Sequence, residues 1–177
     1  MELHMHSHQF AHRMPDWRAA ALAGAIAGVV FLVLEVVLMT LMTGASPWAS
    51  PRMIAAIILG RSALQSPATF AVGVMIAALV VHFVLAIVFA LILSLIMAPF
   101  SFDSSLAMAS LVGAVFGLAI YLINFYGMTQ FFPWFAEARN WVSVFAHLVF
   151  GVLAADTYMR LERKEAQPGG AGSSGAA

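Results

Sequence analysis

Four long apolar runs separated by short polar stretches set the pattern of the chain: residues 19–43, 70–98, 106–129 and about 141–159. Crossing roughly 30 Å of hydrocarbon takes about 20 helical residues, and each run is near or above that length. The period-two alternation of an outer-membrane barrel is absent, so the runs predict helices, which satisfy their own backbone groups inside lipid. A shorter pattern follows the first run. In "SPWASPRMIAAIILGRSALQSP" the residues Met53, Ile54, Ile57 and Ile58 recur at helical spacing between Arg52 and Arg61. That predicts a short helix at about 51–60 lying in the membrane interface, with Trp48 at headgroup depth. The stretch "APFSFDSS" predicts a tight turn in which Asp103, Ser104 or Ser105 caps the third long helix.

Composition agrees with this reading. Hydrophobic residues make up 63% of the chain and charged residues 9%, against roughly 45–50% and about 25% in a soluble domain. The mean hydropathy is +0.95. A net charge of zero argues against nucleic acid as a partner, and the absence of cysteine excludes disulfides, iron–sulfur clusters and thiolate sites. The first run is too long for a signal-peptide core, so the N-terminus is expected to be retained. Arg13, Arg18, Arg160, Arg163 and Lys164 flank one side of the spans, and Arg52, Arg61 and Arg139 the other. That imbalance predicts both termini in the cytoplasm. Residues 1–18 form a polar, His-rich arm ahead of a four-helix domain at 19–160. Residues 161–177 are a charged and then Gly/Ser/Ala-rich flexible tail.

An internal repeat organises the membrane domain. "GAIAGVVFLVLEVVLMT" from Gly24 aligns without gaps on "GAVFGLAIYLINFYGMT" from Gly113. The alignment pairs Gly24 with Gly113, Gly28 with Gly117 and Glu35 with Asn124; each run then continues to Pro-Trp, at Pro47 and Trp48 and at Pro133 and Trp134. "AALVVHFVLAIV" and "VSVFAHLVFGVL" match more weakly and pair His82 with His147. The expected fold is therefore an all-α membrane protein of four transmembrane helices, arranged as a duplicated two-helix unit in a parallel 2+2 repeat. In an up-down bundle, spans one and three, and spans two and four, would lie diagonally opposite.

The repeat also gathers the polar residues. Positions seven or eleven apart return to about the same helix face, which puts Gly24, Gly28 and Glu35 on one stripe and Gly113, Gly117 and Asn124 on another. Closely spaced glycines admit a neighbouring helix, so these stripes should face protein. His82 lies among Ala78, Ala86 and Ala90, and His147 among Ser143, Gly151 and Ala155. Counting about 1.5 Å per residue places Glu35, His82, Asn124 and His147 at comparable depth, so the four are expected to form an intramembrane cluster.

Several chemistries suit such a cluster. It can be purely structural, tying the helices together. Two histidines on diagonal helices suit a bis-His haem b, and His82, His147 and Glu35 have acceptable ligand chemistry for a divalent metal ion. A Glu and His pair can also exchange protons. In the N-terminal arm, His4, His6, His8 and His12 form a second candidate metal-binding tract. Tyr121, Tyr126 and Trp141 read as interfacial belt residues, and Asp156 as solvated or paired with Arg160. No phosphate-binding glycine loop, zinc-protease helix or G-x-S-x-G motif occurs, so no autonomous enzyme is expected.

The segments "SPWASPRMIAAIILG", "LINFYGMTQFFPWFAEARNWV" and "AHLVFGVLAA" resemble those of a family of small, uncharacterised bacterial four-helix inner-membrane proteins. The resemblance covers most of residues 19–160 and implies this fold and a bacterial inner membrane; it carries over no catalytic residue. With almost no extramembrane mass, the expected role is a non-catalytic membrane subunit of a larger complex, such as a respiratory or redox one. The alternatives are a small homo-oligomeric transporter or channel for protons or metal ions, and a haem- or metal-binding membrane protein. Expected partners are the lipid bilayer and other membrane subunits or further copies of the chain.

Overall fold

The computed structural model describes residues 14–64, 68–100 and 105–165. The four N-terminal histidines, Asp103, Ser104 and the tail from 166 lie outside these residues. The chain is all-α, with four helical stretches long and apolar enough to cross a membrane: Trp17–Thr43, Val72–Pro99, Leu106–Gln130 and Trp141–Glu162.

The first span is helix α1 (Trp17–Thr43). Asp16 caps it by accepting from the backbone N–H of Arg18 and Ala19, both at 2.9 Å. Gly44 ends it at φ 69°, a left-handed conformation that glycine adopts without a Cβ clash, and its N–H returns to Thr40 O. Along α1, Leu22, Ile26, Val29, Val33 and Val37 remain exposed at spacings of three and four, whereas Ala20, Ala23, Gly24 and Ala27 are buried. An aliphatic stripe of that length suits contact with lipid chains; in water it would be an aggregation surface.

Helix α2 (Ala49–Leu59) is the short helix expected after the first span, and it packs on α3 (Val72–Phe100). Arg52 does not project to solvent as a flanking charge. It is buried, donating from Nε to Thr69 O at 2.9 Å and from Nη1 to Ala63 O at 2.7 Å, which binds the following loop to α2.

The third span departs from a plain helix. Helix α4 (Leu106–Leu122), capped by Ser105 through Met108 N–H, gives way to a π-helical turn at Ile123–Gly127 and a 3₁₀ turn at Met128–Gln130. A continuous helix to residue 129 was expected. Tertiary capture explains the difference: Arg139 donates from Nε to Phe125 O at 2.6 Å and from Nη2 to Thr129 Oγ1 at 3.0 Å, while its guanidinium lies 4.4 Å from the Tyr126 ring centre. A guanidinium held there takes the Phe125 carbonyl away from the regular i→i+4 ladder. Helix α5 (Trp141–Glu165) extends beyond the expected residue 159.

The largest interfaces are α4 with α5, then α1 with α5 and α1 with α3. By contrast, α3 and α4 barely touch. The bundle is thus closed along three seams and open along the fourth. Glycines set two of the closed seams. A Cβ on Gly24 would meet Ala86 O and Ala90 Cβ at 2.7 Å, and one on Gly28 would meet Ala86 Cβ at 2.9 Å. A Cβ on Gly113 would run into Gly151 O and Ala155 Cβ, one on Gly117 into His147 O, and one on Gly151 into Gly113 O. At these five glycines a side chain would collide with the neighbouring helix, so the missing Cβ is what lets the helices approach.

Candidate functional site

The open seam encloses a cavity of about 360 Å³, within the range of small-molecule pockets. Its walls come from all four spans, from α2 through Met53, Ile54 and Ile57, and from the 3₁₀ segment Pro133–Ala138 through Phe135. Six phenylalanines line it, among them Phe31, Phe89 and Phe150. Leu85 and Ile123 line it as well while remaining 37% and 55% exposed, so the chamber is continuous with the lateral surface between α3 and α4.

Glu35, His82, Asn124 and His147 all line this chamber. They do not converge on one point. Three of them form a connected path through a residue read from sequence only as small. Ser143 Oγ donates to Glu35 Oε1 at 2.9 Å, linking α5 to α1. One turn along, His147 Nδ1 lies 2.7 Å from Ser143 O. A carbonyl only accepts, so Nδ1 carries the ring hydrogen and Nε2 is left as the acceptor facing Asn124 Nδ2, at 3.4 Å. The signal for Ser143 was its position four residues before His147.

His82 stands apart. Its Nε2 donates to Gly28 O at 2.8 Å. Its ring stacks on Phe31 with centroids 5.6 Å apart, and the edge of Phe31 meets His147 at 4.9 Å. Phe31 is therefore the shared aromatic neighbour of both imidazoles. Tyr121 and Phe125 complete the enclosure of His147 at 5.7 and 5.4 Å. Tyr121 is consequently buried and is not a belt residue, whereas Tyr126 and Trp141 are 53% and 60% exposed. Asp156 accepts from Ser110 Oγ at 2.9 Å, so its bond runs across the α4–α5 seam and not along its own helix to Arg160.

These positions bear on the haem and metal readings. A bis-His haem needs both imidazoles aimed at one iron, yet Phe31 packs against both rings, and each ring donates to a backbone carbonyl. The residues present do not fit that group. Among the described residues, no three His, Cys, Asp or Glu side chains come together as a metal-binding group, so Glu35, His82 and His147 are not assembled as one.

What the chamber does hold is unspent hydrogen-bonding capacity. Two buried side-chain atoms lack a partner among the described residues, Glu35 Oε2 and Thr40 Oγ1, and only Glu35 lines the chamber. In the same chamber wall, His82 Nδ1 is the ring nitrogen not bonded to Gly28 O, and Asn124 Oδ1 the amide atom not facing His147. His82 Nδ1 and Asn124 Oδ1 are acceptors, and Glu35 Oε2 is one when the carboxyl group is ionised. No protein-family profile, curated protein or solved structure matches the chain.

Proposed function

We propose that the protein is a non-enzymatic membrane component that holds a lipophilic small molecule in the chamber between α3 and α4. The observation that carries this reading is the chamber itself: apolar walls, a side opening toward lipid, and a buried carboxylate oxygen without a partner. A buried polar atom left unpaired costs free energy that a ligand can recover. A chamber reached from the side takes its ligand from the bilayer, so no soluble domain is needed.

The wider setting follows from the chain. The resemblance and the basic-residue imbalance support a bacterial inner membrane with both termini cytoplasmic. Operation as a subunit of a larger complex is supported by the described residues being almost entirely spans and short connections, with no soluble domain among them. Duplication of a helix pair is supported by matching contacts. Gly24 packs on Ala86 and Ala90, and Gly113 on the aligned Gly151 and Ala155. The aligned pairs Phe31 and Ile120, Glu35 and Asn124, and His82 and His147 all line the chamber. On this reading one of two related seams, α1 with α5, is closed, and its counterpart, α3 with α4, is opened to make the site.

Native mass spectrometry of the protein released from its own membrane into mild detergent tests both parts. The wild type should carry a lipophilic molecule that Ile123→Trp, narrowing the open seam, fails to retain. Bare protein in both samples would overturn the binding role. A lone homo-oligomer without other chains would overturn the subunit setting.

A further inference from the structure

We infer that the chamber selects a lipophilic primary amine, bound as its ammonium ion, with Glu35 as counter-ion; this rests on the binding role proposed above. The unused groups argue for it. Glu35 Oε2, from α1, lines the chamber without a partner among the described residues and, as a carboxylate oxygen, accepts; His82 Nδ1 and Asn124 Oδ1, on α3 and the π-helical turn, belong to the same wall and are acceptors too. An ammonium group carries N–H donors and no acceptor, which suits pairing with Glu35 Oε2. A ligand headed by a carbonyl, carboxylate or phosphate would bring acceptors to acceptors.

Charge sharpens the choice between an amine and a neutral alcohol. Glu35 is 7% exposed, and no Lys or Arg lines the chamber, so no side chain of fixed positive charge competes for the carboxylate. Arg52 and Arg139, in adjoining segments, are bound to carbonyls at Thr69, Ala63 and Phe125. An ionised group in a low-dielectric setting calls for an opposite charge. The aromatic walls add to this, because ring faces attract cations and the same rings accommodate an apolar body. Lateral access past Leu85 and Ile123 lets the body remain in hydrocarbon while the head reaches Glu35.

Fluorescence titration of the intact protein in nanodiscs with 1-pyrenylmethylamine, 1-pyrenylmethanol and 1-methylpyrene at neutral pH tests the inference. The three share one apolar body and differ in the head: a cationic donor, a neutral donor and no donor. The amine should bind at least about tenfold more tightly than 1-methylpyrene, with the alcohol between, as a charge-assisted hydrogen bond requires. In Glu35→Gln, which keeps the side-chain volume, the preference for amine over alcohol should fall below about threefold. Equal binding of all three by the wild type overturns the amine inference and leaves the chamber's general binding role standing. Failure of all three to bind saturably also overturns the inference, while the binding role is judged separately by the retained native ligand. The wild-type series decides the matter even if Glu35→Gln fails to assemble.

Discussion

Ser143 and Glu35 are 108 positions apart in the chain, and the serine Oγ donates to the glutamate Oε1 at 2.9 Å. The same serine offers its carbonyl to His147 Nδ1 at 2.7 Å. One small residue on α5 therefore fixes a carboxyl group on α1 and an imidazole on its own helix. It leaves Glu35 Oε2 as the unpaired atom on the chamber side of the network.

Removing that hydroxyl isolates the carboxyl group. Ser143→Ala is expected to destabilise the bundle by about 0.6–1.7 kcal/mol, the range found for interhelical hydrogen bonds within membranes. A double-mutant cycle with Glu35→Ala, read by unfolding in detergent, isolates the coupling. Strict additivity would mean that the two side chains do not interact.

Glycine substitutions should separate by seam. A methyl group at Gly113 or Gly117 meets the backbone of α5, which cannot withdraw as a flexible side chain can. Gly113→Ala and Gly117→Ala should each cost about 1–3 kcal/mol, the usual penalty for overpacking. Gly73→Ala is the control, since a Cβ there meets nothing within 4 Å. Its helical position predicts no loss and a slight gain, so comparable melting losses at Gly73 and Gly113 would contradict the packing described.

What could be read from the chain depended on how local its cause was. The spans were legible because insertion into lipid depends on length and composition, and the glycine faces because helical periodicity fixes which positions align. The shared depth of Glu35, His82, Asn124 and His147 was legible for the same reason. The placement of Phe31 between the two imidazoles was not, because ring packing depends on how helices approach one another. Nor was the π-helical turn, where Arg139 reaches back across the loop to Phe125 O. Ser143 was visible as a small residue beside His147, but its hydroxyl acquires a role only when α1 brings Glu35 to it. Tyr121 looked like a belt residue from its position alone, and the α4–α5 seam buries it.

The π-helical turn should depend on the fork of Arg139. Lysine has a single ammonium and cannot donate to Phe125 O and Thr129 Oγ1 while lying flat over Tyr126. Arg139→Lys is expected to cost about 1–2 kcal/mol and to speed amide exchange across residues 123–130, with exchange in the middle of α1 unchanged. Unaltered exchange in that segment would show that the turn is set by its own sequence.

The two histidines should respond differently to replacement. His82 donates to Gly28 O, a carbonyl in the interior of α1 that also accepts its helical N–H. Losing His82 therefore strands no buried backbone group, and His82→Leu should cost less than about 1 kcal/mol. His147 receives the Asn124 amide and is enclosed by the rings of Phe31, Tyr121 and Phe125. His147→Leu leaves that amide unpaired beside an apolar wall and removes the ring contacts, at an expected cost of about 1–3 kcal/mol. Unfolding of both variants in the same detergent makes the comparison. Equal losses would place the two imidazoles in one unit and would overturn the separation by Phe31.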